Sequence, residues 1–264
     1  MNLLHTLILG VVEGLTEFLP VSSTGHLIVA SKLLRLDGAN IESFEVFIQL
    51  GAIAAVALIY KEKIIKLFAC NQTPGFAGHN GILFLVLTTI PALALGAVTH
   101  SFIKMHLFNP VTVSFGLGLG GVAIIFIERS LKKPSAGGME NLTKRHAFLI
   151  GLFQCLALWP GISRSASTIL GGMILGLDRK TATEYSFFAA IPVMCAAATL
   201  DLLKSYRSLA RADLLFFLSG FIFSFVSAWI AVRWFIQLVS RRNLSPFGWY
   251  RIVMAPVLFW FFTR

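Results

Sequence analysis

Residues 3–35 read LLHTLILGVVEGLTEFLPVSSTGHLIVASKLLR, and residues 147–178 read AFLIGLFQCLALWPGISRSASTILGGMILGLD. Each stretch is a pair of short apolar pieces around a polar centre interrupted by proline and glycine. Neither half is long enough to cross a bilayer, which takes about 20 mostly apolar residues. Irregular backbone at membrane depth survives only where protein or a water-filled cavity surrounds it. The pattern therefore predicts two re-entrant helix-loop-helix hairpins.

The rest of the chain agrees with a membrane setting. Of 264 residues, 56% are hydrophobic and 13% are charged, against about 25% charged in ordinary soluble domains. Mean hydropathy is +0.80. This composition excludes a disordered chain and argues against a water-soluble globule. Three cysteines, Cys70, Cys155 and Cys195, cannot make a disulfide framework, and no CxxC metal spacing occurs. The net charge of +10 reads as membrane topology, not nucleic-acid binding, because the basic residues sit between long apolar runs. Six runs are long enough to span: 43–60, 82–100, 108–127, 184–203, 213–238 and 246–263. No basic region precedes the first apolar stretch, so a cleaved signal peptide is not expected.

The two hairpins also echo one another. Gly10-x-x-Glu13 is matched by Gly151-x-x-Gln154, and Pro20-x-x-Ser23 by Pro160-x-x-Ser163. Glu45 and Glu184 follow those prolines by 25 and 24 residues, and Asn109-Pro110 and Ser245-Pro246 open the last run of each half. The reading is a single all-α integral membrane domain, residues 1–264, built from two repeats, about 1–130 and about 141–264. Each repeat has one re-entrant hairpin and three transmembrane helices. Three is odd, so the halves take opposite orientations, an inverted-topology plan that places a site at the midplane.

Basic residues suggest the orientation. Lys61, Lys63, Lys66, Arg129, Lys132, Lys133, Lys144, Arg145, Arg179, Lys180, Arg241 and Arg242 fall on one side if the six runs alternate. Lys32, Arg35, Lys104, Lys204, Arg207, Arg211 and Arg264 fall on the other. The positive-inside rule makes the first side cytoplasmic. The first hairpin then enters from outside, with both termini outside.

Charges inside the membrane are costly and usually functional. Glu13 and Glu17 share one helix face. As like charges they repel unless a proton or a cation such as Mg²⁺ or Ca²⁺ joins them. A solvated face or a Glu paired to a neighbouring helix is the plainer alternative. Ser22, Ser23, Thr24, Gly25 and His26 form a turn whose hydroxyls and N–H groups can cradle phosphate oxygens. A serine near a histidine and a carboxylate can also become a nucleophile. A polar turn capping the next helix is the alternative for any one hydroxyl. In the second hairpin Arg164 offers a planar fork for phosphate, with Ser163, Ser165 and Thr168 as further donors. A structural ion pair from Arg164 to Glu13 or Glu17 is compatible with that role. Gln49, Glu45, Glu184 and His100 lie near run ends and read as caps or cavity lining. Together the residues point to phosphoryl chemistry on a lipid, or to anion-coupled transport.

These motifs resemble the undecaprenyl-pyrophosphate phosphatase family of bacterial inner membranes, the bacitracin-resistance proteins. Glu13-Gly-Leu-Thr-Glu17 matches its E/Q-xxx-E motif, Pro160 to Thr168 its PGxSRSxxT motif, and Leu19-Pro-Val-Ser-Ser-Thr-Gly-His26 its third signature. The resemblance covers essentially the whole chain. It implies a divalent-metal-dependent hydrolase with two interleaved inverted repeats, two re-entrant hairpins and six spans. Such an enzyme removes the terminal phosphate of undecaprenyl pyrophosphate and regenerates the lipid carrier for peptidoglycan synthesis. Bacitracin resistance follows because the drug sequesters the pyrophosphate that the enzyme depletes. By position, the resemblance implies Glu17, Ser23, His26 and Arg164 as the catalytic core. Glu13, Ser22, Thr24, Gly25, Ser163, Ser165 and Thr168 would support the substrate, and Glu13 and Glu17 would hold Mg²⁺ or Ca²⁺. Family mechanisms differ over the nucleophile. The favoured version has Ser23 attacking, His26 as acid/base, Arg164 clamping phosphate, and Glu17 holding metal or activating the serine. Partners would be the lipid pyrophosphate and membrane lipid, with no nucleic acid and a homodimer left open. The site would face the periplasm. The rival reading is an inverted-repeat transporter or flippase for a polyprenyl phosphate.

Overall fold

The computed structural model describes residues 2–68, 75–131, 137–205 and 214–263. Cys70, Lys132, Lys133, Arg207, Arg211 and Arg264, used above for redox and topology, lie outside the described residues. Among the described residues the chain is helical and has no strand. The first quoted stretch folds as α1 (Leu3–Thr16) and α2 (Ser23–Leu33), the second as α7 (Lys144–Cys155) and α8 (Arg164–Ile174). The six apolar runs fall on α3 (Ala39–Ile59), α5 (Gly78–His106), α6 (Pro110–Ser130), α9 (Arg179–Ser205), α10 (Leu214–Val239) and α11 (Ser245–Thr263). A short helix unanticipated by the sequence reading, α4 (Lys61–Leu67), carries the first basic run.

Local chemistry sets several of these starts. Asn109 caps α6, its side-chain oxygen accepting from Val111 N and Thr112 N at 3.1 Å each, with Pro110 in the first helical position. Thr143 and His146 form a reciprocal capping box on α7. Asp178 accepts from Thr181 N at 3.0 Å ahead of α9.

Among the described residues five helices are long and apolar enough to cross a membrane: α3, α5, α6, α9 and α10. The run at 246–263 does form a helix, but α11 falls short of that standard. Its first half carries Pro246, Gly248, Trp249, Tyr250 and Arg251, which lower its apolarity. Where two of these residues go is described below.

The short helices α1 and α7 pack chiefly against distant spans, while α8 lies on α9, the helix that follows it. α1 lies on α10, and α7 lies on α5. α10 in turn packs on α3, α5 on α9, α3 on α9, and α6 on α11. Close approach of the short helices depends on glycines, among them Gly10 and Gly14 of α1 and Gly151 of α7. A Cβ on Gly10 would sit 2.7 Å from Gly220 O of α10, and one on Gly151 would sit 2.7 Å from Thr88 O of α5. Both distances are below any tolerable contact, so only glycine fits. The apolar centre runs through Phe18, Val56, Ile150, Ile169, Phe187, Phe188 and Phe235, all buried.

One end of the bundle is tied by ion pairs. Arg179 donates to both oxygens of Glu128, Nη2 at 2.7 Å, and Glu128 also accepts from Leu244 N at 2.8 Å. Lys63 meets Glu184 at 2.5 Å. These contacts gather the ends of α6 and α9 with the α10–α11 turn, and join α4 to α9.

Candidate active site

Two turns and the helix starts that follow them make the site. In the first turn Ser22 precedes α2 with φ of 71° and ψ of 93°. A residue with a Cβ is strained there, a feature that collects at functional positions. No side chain caps α2, so its first-turn N–H groups keep no side-chain acceptor. In the second turn Ser163 caps α8, its hydroxyl oxygen accepting from Ala166 N at 3.2 Å. Ser163 Oγ is 2.8 Å from Ser165 Oγ, and Ser165 Oγ donates to Leu19 O at 2.8 Å. That last bond joins the second turn to the first.

A shorter chain of contacts crosses the same gap. Ser23 Oγ donates to Glu17 Oε2 at 2.6 Å. Arg164 Nη2 donates to Glu17 Oε1 at 3.2 Å, and Nη1 donates to Ser186 O at 3.2 Å. The guanidinium lies 5.5 Å from the Phe18 ring centroid. Its Nε is buried with no hydrogen-bond partner. Glu17 and Arg164 are 9% and 13% exposed, so their attraction is little screened by solvent. Thr168 Oγ1 donates to Arg164 O at 3.0 Å and sits 2.6 Å from Ser186 Oγ. It thereby holds the residue whose carbonyl takes the arginine.

These groups border a cavity of about 180 Å³. Glu17, Ser22, Ser23, Thr24, Gln49, Ser163 and Arg164 line it, over an apolar floor of Ala157, Ile162 and Met194. Of the residues singled out from sequence, the structure thus brings together Glu17, Ser22, Ser23, Thr24, Ser163 and Arg164. Gln49 joins them as the sequence suggested. Ser165 and Thr168 stand behind the cavity as supports. A Cβ on Gly25 would lie 3.7 Å from Leu258 of α11, so that glycine faces a neighbouring helix.

Glu13 is fully buried, one turn of α1 before Glu17, and neither of its carboxylate oxygens has a hydrogen-bond partner. Glu17, Glu45 and Arg164 are the charged groups that act on it. Glu45 is itself engaged, accepting from Ser31 Oγ at 2.6 Å. A buried carboxylate with two orphaned oxygens suits a hard cation, which takes carboxylate and phosphate oxygens together. Among the described residues no three His, Cys, Asp or Glu side chains cluster. Glu13 does not itself line the cavity. Two carboxylates one turn apart, Glu13 and Glu17, are the residues that would hold a Mg²⁺ or Ca²⁺ ion, with non-protein oxygens completing its shell.

His26 is placed differently from the sequence expectation. Its Nδ1 lies 2.8 Å from Ser22 O, and its Nε2 lies 2.5 Å from Tyr250 Oη. A carbonyl only accepts, so Nδ1 carries the hydrogen. Both ring nitrogens are thus engaged away from Ser23. Sequence reasoning missed Tyr250, and it missed Arg251. Arg251 is fully buried and gives its donors to four backbone carbonyls: Leu117 at 3.1 Å, Pro20 at 3.2 Å, Gly116 at 3.3 Å and Gly161 at 3.0 Å. An arginine within an apolar run is a signal in itself, and that signal was available at position 251.

Residues 6–257 match the family described as bacitracin resistance protein BacA. The chain is also similar to curated proteins along nearly its full length. It is 50% identical over 262 residues to an undecaprenyl-diphosphatase of Maridesulfovibrio salexigens, covering 99% of each chain. It is 50% identical to one from Nitratidesulfovibrio vulgaris, covering 98% of each. It is 51% identical to one from Oleidesulfovibrio alaskensis, covering 98% of this chain and 99% of the relative. A family match across almost the whole chain, and half-identity to relatives of the same length, place this protein in the bacitracin resistance protein BacA family.

Proposed function

We propose that the chain is a multi-pass membrane phosphatase that cleaves the terminal phosphate from undecaprenyl diphosphate. It would return undecaprenyl phosphate for peptidoglycan synthesis and so confer bacitracin resistance. The observation that carries the reading is the contact chain Ser23–Glu17–Arg164 at a cavity bordered by two helix starts. Helix N-termini favour anions through their exposed N–H groups and aligned dipoles. α2 offers such a terminus uncapped, and Arg164 adds a buried guanidinium whose Nε has no partner.

The geometry gives each residue a task. Glu17 accepts the Ser23 hydroxyl hydrogen and is the base that takes the proton as Oγ attacks the terminal phosphorus. The anhydride P–O bond breaks, and undecaprenyl phosphate leaves carrying the proton that Glu17 returns. Water then attacks the phosphoserine with Glu17 again the base, and the Ser23 oxygen leaves as orthophosphate forms, taking that proton back as its hydroxyl. Arg164 orients Glu17 and stabilises developing phosphate charge through its guanidinium. Glu13 and Glu17 would hold a divalent cation, which supplies charge neutralisation for the phosphate oxygens. Ser22, Thr24 and Ser163 supply hydroxyls around the phosphate. The acid/base role falls to Glu17, because His26 makes no contact with Ser23.

The inverted-repeat plan belongs to the same proposal. Exchanging the halves maps α1 on α10 to α7 on α5, and α3 on α10 to α9 on α5. Gly10 and Gly151, matched in sequence, each admit one of the two short-helix contacts. On this plan α1–α2 and α7–α8 are re-entrant hairpins of one membrane domain in the bacterial inner membrane, with the cavity open to the periplasmic side. A transporter of the same plan has no use for a serine held against a carboxylate. Phosphate release from detergent-solubilised protein and a C55 diphosphate tests the proposal. Metal-dependent release that vanishes in Ser23→Ala is expected. No release from the wild-type protein would leave the transporter.

A further inference from the structure

We infer that Tyr250 and Arg251 of α11 are positioning residues that hold the two turns in reacting register, an inference that rests on the phosphatase reading. The two side chains leave adjacent residues of one helix and reach both ends of the strained segment before Ser23. Arg251 Nη1 donates to Pro20 O at 3.2 Å. Tyr250 reaches Ser22 O through His26: its hydroxyl lies 2.5 Å from Nε2, and Nδ1 lies 2.8 Å from that carbonyl. Pro20 and Ser22 are thus gripped on either side of Val21, and Ser22 is the residue held at φ 71°. Such a backbone persists only where its surroundings over-determine it.

Arg251 also ties down the other turn. Nη2 donates to Gly161 O at 3.0 Å, three residues before Arg164, and Nε and Nη2 donate to Leu117 O and Gly116 O of α6. One fully buried guanidinium therefore fixes the loop of Ser23 and the loop of Arg164 to a common reference, α6. Placing that cation on four backbone carbonyls, with no carboxylate among them, is a costly arrangement. A greasy side chain would fill the space more cheaply. The gain is register, because the Ser23–Glu17–Arg164 chain needs both loops aligned. The same contacts explain why α11 is too polar to count as a plain span.

Tyr250 also fixes the state of His26. A neutral imidazole with Nε2 accepting from the tyrosine must carry its hydrogen on Nδ1, where the Ser22 carbonyl needs it. The rings stack nearly parallel, with centroids 5.6 Å apart and planes 8° from each other. Removing the hydroxyl while keeping the ring frees the tautomer without emptying the space. His26 then acts through Ser22 and is a brace for Ser23.

The test is Tyr250→Phe in the detergent-solubilised full chain, with three readouts. Turnover of C55 diphosphate should fall about 10- to 100-fold in kcat, the scale of a small misplacement of reacting groups, with KM within about twofold. The melting temperature should stay at the wild-type value. The ¹⁵N spectrum of histidine-labelled protein, with the His26 signal assigned by its loss in His26→Ala, should change from one Nδ1–H form to a mixture. His26→Asn should rescue His26→Ala to about a tenth of wild-type kcat, since its amide can donate to the same carbonyl. Unchanged kcat in Tyr250→Phe overturns the inference, as does a loss of activity that tracks a lowered melting temperature. No rescue by His26→Asn, with Tyr250→Phe still active, returns His26 to acid/base duty. Absence of phosphate release from wild-type protein overturns the phosphatase reading alone, since the tautomer readout needs no turnover.

Discussion

Arg164 touches Glu17, Ser186 and the Phe18 ring at once, and its Nε is left over. A lysine keeps the charge but loses the planar fork whose two nitrogens reach Glu17 and the Ser186 carbonyl together. Arg164→Lys should lose at least about 100-fold in kcat, the scale of one transition-state donor, nearly as much as Arg164→Ala. A lysine variant within a few-fold of wild type in a phosphate-release assay would remove Arg164 from the site. The two glutamates should separate just as clearly. Glu17 has both oxygens in use, as base and as partner of Arg164, so Glu17→Gln should abolish turnover. Glu13 has neither oxygen in use by protein. Its counterpart Gln154 donates to Thr88 O at 3.2 Å, so an amide already sits at the matching position in the second half. Glu13→Gln should therefore fold normally, lose far less activity than Glu17→Gln, and need more Mg²⁺ for half-maximal rate. A metal titration of both variants checks this division, and equal losses would contradict it.

At the scale of elements, α1 and α7 are held by lying against the distant spans α10 and α5. Gly10 and Gly151 are points of close approach, and Gly14 comes closer still to α10. A leucine at position 10 or 151 forces the helices apart and should destabilise the fold by about 1–3 kcal/mol, the range of overpacking. Thermal unfolding in detergent should show it for both variants, with activity lost as the loops separate. Much of this was legible beforehand. The proline and glycine breaks at Pro20 and Pro160 marked the turns, and the run lengths marked five long apolar helices while overrating the last run. The glycines matched in sequence showed an echo between the hairpins, not packing points. What the sequence could not show was where the side chains of the last helix go. Position 251 lies 231 residues from Pro20 and 90 from Gly161, and no periodicity within α11 records such partners. His26 illustrates the same limit. Residue type suggested acid/base work, but an imidazole between a carbonyl and a tyrosine is decided by a contact 224 residues away. The helix α4 was missed because its seven residues, KEKIIKL, read as a charged loop between apolar runs.

For the whole molecule, the basic residues assigned to one side include Lys63, Arg179 and their acidic partners, which gather one end of the bundle. If that end is cytoplasmic, the turn after α2 faces outward. A cysteine at exposed Asn40, in a background lacking Cys70, Cys155 and Cys195, should react with a membrane-impermeant thiol reagent in intact spheroplasts. A cysteine at exposed Glu140 should stay protected until lysis. The opposite pattern would invert the protein and send its phosphate into the cytoplasm. The uncapped start of α2 has a consequence of another kind. On the proposed reading, a cradle made of helix-end N–H groups and one guanidinium would bind a tetrahedral anion whether or not a lipid is still attached. Released orthophosphate would then compete with substrate for the seat it has just left, giving product inhibition. Turnover should slow as orthophosphate rises on the open side, and vanadate, closer to the transition state, should inhibit at lower concentration. The pace of carrier recycling would then follow the phosphate content of the medium bathing that side of the membrane.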